Sequence, residues 1–221
     1  MNIESERATT RIYGWLLLVS ALLSVLGALH HPSGGTHGGG MAALARQAAL
    51  VAFVHAALLA IFTAQYIGFF GLARRLGMDR PLVASGFILL SLGTISMICA
   101  GAINGFASPS YGLGYADATP EQAAMANSVL GYGWALNQAF AKIGAFGWSG
   151  AVLLWSVALL AHSGLARWLG GVGMVLGMGL LGGLVSGLLR LDVAGFTLLT
   201  SVLAVWAIGA AALMIAGRLE R

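Results

Sequence analysis

Four of the five histidines lie within the first 55 residues, as His30-His31, His37 and His55. Neutral imidazole is a ligand for copper, zinc, nickel and haem iron, so this cluster points to a metal ion or a metal cofactor. Copper or haem is favoured over zinc, because no carboxylate is close in sequence. Neighbouring side chains on a helix point about 100° apart, so one ion takes both His30 and His31 only where the helix frays. The stretch Ser33–Gly40, with five glycines, permits that. The competing reading makes His30-His31-Pro32 a helix end in the lipid headgroup region. His55 is flanked by Leu50-Val51-Ala52-Phe53-Val54 and Ala56-Ala57-Leu58. Buried there, it needs a hydrogen-bonding partner, a backbone carbonyl or Asn104.

Met97 and Cys99 add soft ligands suited to Cu(I). Two residues apart on a helix, they do not share a face, so at most one can join His55. Asn104, Trp134, Asn137, Gln138 and Lys142 are further candidates to line a pocket. With Phe106, Tyr111, Tyr115 and Trp148 they give the second functional class, after the metal site: a carrier or receptor for a small apolar or amphipathic molecule, such as a lipid or quinone. Lys142, the only lysine, either snorkels to an interface or meets an anionic head, Asp117 or Glu121. Motifs for catalysis are missing: there is no H-E-x2-H, no G-x-S-x-G and no Walker loop. The chain reads as a binding protein rather than an enzyme.

The elements that position these residues follow from composition. The 221 residues are 59% hydrophobic and 8% charged, against about 25% charged in soluble domains. One cysteine excludes a disulfide scaffold. The stretches free of Asp, Glu, Lys and Arg run 12–45, 47–73, 81–116, 122–141, 143–166, 168–189 and 193–217. A bilayer core about 30 Å thick needs about 20 apolar residues in a helix. Six spans are predicted near 12–31, 47–72, 82–104, 142–162, 167–189 and 193–217. The fold class is all-α: a polytopic integral membrane protein, a single transmembrane domain over 1–221. An extra periplasmic helical segment, 120–141, precedes the fourth span. Residues 122–162 read as one helical stretch, about 60 Å long, so a break is expected near Gly131–Gly133. Thr119-Pro120-Glu121-Gln122 marks its start as a capping box, and Asp192 caps the last span. The first apolar run exceeds a signal-peptide core and is taken as a span.

Six spans put both termini on one side, with Arg7, Arg11, Arg74, Arg75, Arg80, Arg167, Arg218 and Arg221. Arg46, Arg190 and Lys142 fall on the other. The positive-inside rule then makes both termini cytoplasmic, in a bacterial inner membrane. The net charge of +4 is a topology signal and not a nucleic-acid footprint. Most polar residues thereby gather towards the exterior, which predicts an exterior-facing site. Counting from Arg46, His55 should lie about 12 Å below the outer mouth, deeper than His31, which weighs against a haem held by both. Apart from membrane lipids, the partner suggested is a second copy. The fifth span carries small-x3-small spacings at Gly173, Gly177, Gly179, Gly183 and Gly187, which pack helices within the chain or between copies. A structural or assembly subunit is the third functional class.

Overall fold

The computed structural model describes residues 3–31 and 40–219. His37 lies outside them. The order is α1 (Ile3–Leu29), α2 (Gly40–Leu76), α3 (Pro81–Ala102), a π-helical turn (Ile103–Ala107), α4 (Ser108–Leu113), α5 (Pro120–Leu160), α6 (Gly164–Val185) and α7 (Val193–Ile215). Among the described residues there is no strand. Six helical stretches are long and apolar enough to cross a membrane. Their outer faces stay greasy: Trp168 is 75% exposed, Val175 68% and Val205 62%. Soluble monomers rarely expose contiguous apolar patches larger than a few hundred Å². Faces like these are expected where the solvent is lipid, and the six helices suggest a multi-pass membrane protein.

Local signals set the helix ends. Pro81 opens α3 without needing its missing N–H. Thr119 caps α5 in a complete capping box: its hydroxyl accepts from the Gln122 amide, and Gln122 Oε1 accepts from the Thr119 N–H. The Asp192 side chain accepts from Gly195 N–H to start α7. At the close of α6, Gly187 takes a positive φ of 74°, a backbone region in which glycine alone is unstrained.

The aromatic core lies between α2, α3, α5 and α7. Trp155 and Trp206 are fully buried and stack at 6.4 Å, with Phe69 against both. Trp155 Nε1 donates to the Val83 carbonyl, which ties α5 to the start of α3.

Two expectations are corrected here. The break near Gly131–Gly133 is absent, and α5 is one helix of 41 residues. A glycine in a helix costs only about 1 kcal/mol relative to alanine, too little to interrupt a helix that is capped at its start. The depth of His55 is also different from that counted along the sequence. α1 and α2 are aligned by close approaches of Tyr13 to Gly71, Leu17 to Gly68 and Leu58 to Gly27. The end of α1 therefore lies level with the middle of α2, beside His55. α2 begins at Gly40 and so rises well past α1.

The same overhang recurs in two neighbours. The stretches 43–76, 81–113 and 120–160 hold 34, 33 and 41 residues, against 26, 22 and 23 for those of α1, α6 and α7. At 1.5 Å per residue, α5 is about 61 Å long and α6 about 33 Å. Three long helices thus outrun three short ones at the end where α1 finishes. Segment 120–141 is the start of α5 and one wall of this overhang, not a separate element.

Candidate functional site

A cavity of about 520 Å³ occupies the step between the long and short helices. It draws on every helix except α6. α1 contributes His31 just past its end, α2 contributes His55, Leu58 and Phe62, and α3 with its π-turn contributes Met97 and Asn104. α5 supplies Trp134, Asn137 and Gln138, and the start of α7 supplies Asp192 to Phe196.

The π-turn places one wall. Pro109 has no N–H to give to the carbonyl of Gly105, and its ring would press on that carbonyl in a regular helix. The wider turn over Ile103–Ala107 accommodates the proline and carries the chain into α4. At its centre Gly105 is buried, and a Cβ there would overlap Cβ and Cγ of His55. Glycine is what lets α2 bring its imidazole this close.

Within the cavity, His31 Nε2 and His55 Nε2 lie 3.3 Å apart. The rings meet edge to face, with centroids 4.9 Å apart. His55 Nδ1 lies 2.8 Å from the Val51 carbonyl. A carbonyl only accepts, so Nδ1 carries a proton. In the neutral ring this leaves the Nε2 lone pair directed at His31 and the cavity. His31 Nε2 then donates to it. The partner expected for His55 is thus a carbonyl together with a second imidazole, and no hydrogen bond joins it to Asn104.

Two amides brace the other side. Asn137 Nδ2 donates to the Ala100 carbonyl at 2.8 Å, holding α5 to the end of α3. Gln138 Nε2 donates to the Leu191 carbonyl at 3.2 Å, holding α5 to the turn before α7. Their remaining polar atoms, with Asn104 and Ser108, give the wall a hydrogen-bonding band beside the apolar Leu58, Leu59, Phe62, Met97 and Phe196.

The other candidates distribute as follows. His30 points away: it is exposed, and its Nδ1 bonds the Leu26 carbonyl of its own helix. Met97 lines the cavity and Cys99 does not, as their two-residue spacing requires. Lys142 is exposed and outside the lining. Among the described residues no group of three or more His, Cys, Asp or Glu could hold a metal ion. In α6, Gly173 lies against Ser156 and Trp206, and Gly177 against Leu153 and Ser149. Those two pack inside the chain. Gly179 faces open space, Gly183 lies against Leu189, and Gly187 forms the closing turn.

Sequence reasoning missed Gly105, Ser108, Leu44, Phe62 and the 191–196 wall. Only Pro109, four residues after Gly105, signalled irregular backbone there. No family model matches the chain, and neither a curated protein nor a solved structure is significantly similar to it. Fold and site together define its class: an all-helical protein with six helices long and apolar enough to cross a membrane and an imidazole-lined cavity at one end of the bundle.

Proposed function

We propose that this protein is a receptor or carrier for a small amphipathic molecule, a lipid- or quinone-like ligand, in the bacterial inner membrane. Its polar head sits against His31, His55 and the Asn104–Asn137 band, and its apolar part lies along Leu58, Phe62, Met97 and Phe196. The observation that carries this reading is the cavity itself. At about 520 Å³ it has the size of small-molecule sites, about 300–1,000 Å³, and it joins one hydrogen-bonding band to a larger apolar wall. In the sequence, eight arginines fall in segments on the side of the termini, against two arginines and a lysine in segments on the other side, which supports cytoplasmic termini. The cavity then opens to the exterior, and the overhang forms a layer beyond the bilayer core.

The test is purification in mild detergent followed by mass spectrometry of the organic extract. A near-stoichiometric amphipathic compound is expected. Ala194→Trp at the exposed mouth, and His55→Phe, should both lower its occupancy at least several-fold while elution stays monodisperse. Equal recovery from wild type and Ala194→Trp would refute the reading.

A metal ion is the second reading, favoured by one distance. Two nitrogens bound to one tetrahedral ion at about 2.0–2.1 Å each stand about 3.4 Å apart, and the two Nε2 atoms are separated by 3.3 Å. The Val51 carbonyl on Nδ1 of His55 is also the usual second partner of a metal-bound imidazole. Copper fits that spacing better than haem, whose iron holds opposed nitrogens about 4 Å apart at similar bond lengths. Copper add-back followed by elemental analysis should give one ion per chain, lost in His31→Ala and in His55→Ala. No bound copper under those conditions excludes this second reading.

A further inference from the structure

We propose that a small hollow below Phe62 is a water site in the middle of the bundle, and that Phe62 is the partition between it and the main cavity. The hollow measures about 30 Å³ and is lined by Phe62, Gln65, Thr94, Trp148 and Thr200 among others. Phe62 also lines the main cavity, so one ring faces both spaces. That ring is held edge-on to Trp148 at 5.1 Å.

Thr200 supplies the independent observation. It is 4% exposed, and its hydroxyl makes no hydrogen bond to a described residue. Buried polar groups are almost always paired, with protein or with ordered water, and lipid offers no substitute. Two more groups converge on the hollow. The Thr94 hydroxyl accepts from Trp148 Nε1 at 3.1 Å and keeps its own hydrogen to give. The Gln65 amide, which also lines the hollow, makes no hydrogen bond to another described residue. A buried water needs roughly 10–15 Å³ of such space and two to four polar partners. The hollow meets both conditions. No carboxylate lines it, so its occupant is neutral: a water molecule, not a bare cation.

Two measurements decide this. The first is Thr200→Val, which removes the hydroxyl and keeps the shape. A hydroxyl bonded to water is lost at a cost, so the melting temperature in detergent falls. An unpaired hydroxyl in a dry hollow is better removed, so the temperature rises or stays level, and that result would overturn the water site. The second uses Thr200→Cys in a Cys99→Ser chain with a small polar thiol reagent. Modification should be at least tenfold faster once Phe62→Ala is added, with elution unchanged. Equal rates with and without Phe62, fast or slow, would overturn the partition. The Thr200→Val measurement does not depend on what the main cavity binds, and the thiol rates are compared in chains freed of any bound ligand.

Discussion

At the arginine-bearing end the apolar side chains close on one another, with Leu76 and Leu219 1% exposed, Met214 fully buried and the Trp155–Trp206 stack just inside, beneath a smaller and more polar cleft of about 190 Å³ bordered by Arg7, Thr10, Arg11 and Arg75. At the opposite end α2, the α3–α4 stretch and α5 continue past their neighbours, and the step holds about 520 Å³ of open volume. The same chain packs tightly where six helices run side by side and opens where only three continue. Polar atoms follow the same division. The tight end spends its one indole bond on the Val83 carbonyl, whereas the open end gathers two imidazoles and two amides around its void. The void is therefore built by helix length and braced by specific bonds, and it is not a generally loose core.

The comparison can be broken by substitution. Trp155→Ala should cost about 3 kcal/mol, through the vacated volume and the lost indole bond to the Val83 carbonyl, read by unfolding in detergent. Phe196→Ala on the cavity wall should cost less than half of that, because its neighbours already border empty space. Equal losses would remove the distinction between the two ends. Gly105→Ala should cost about 2 kcal/mol by overpacking against His55, and it should also lower ligand recovery. Retention of both stability and ligand would show that the close approach at the π-turn is dispensable.

Smaller effects sharpen the picture. Asn137→Leu should cost about 1 kcal/mol by removing the side-chain bond that ties α5 to the Ala100 carbonyl, measured by the same unfolding assay. Gly131→Ala should have the opposite sign. A methyl there meets no atom of a described residue within 4 Å, so the substitution should add up to about 1 kcal/mol of helix stability. A loss at Gly131 would mean that α5 bends there after all.

Much of this was legible in the residues. Charge-free windows give the six apolar stretches, because a charge at membrane depth is costly enough to be kept to the ends. Thr119 and Asp192 mark two helix starts through bonds that span only three residues. The supposed break at Gly131–Gly133 was a misreading of local propensity. Glycine weakens a helix, but nothing at those positions competes with the helical hydrogen bonds.

What the sequence alone determined is therefore local: which stretches are helical, roughly how apolar each is, and where their capping residues fall. These depend on interactions within about one helical turn. What only the tertiary structure decided is the vertical offset between helices. His31 and His55 are 24 positions apart, and neither spacing nor hydropathy says at what height they face each other. That height is set by α1 packing along the middle of α2 through Gly27, Gly68 and Gly71, and by the π-turn before Pro109 bringing Gly105 against the imidazole. Lipid gives an apolar helix little preference for one axial position over another nearby, so the close fit of side chains between helices sets the register, and with it the site.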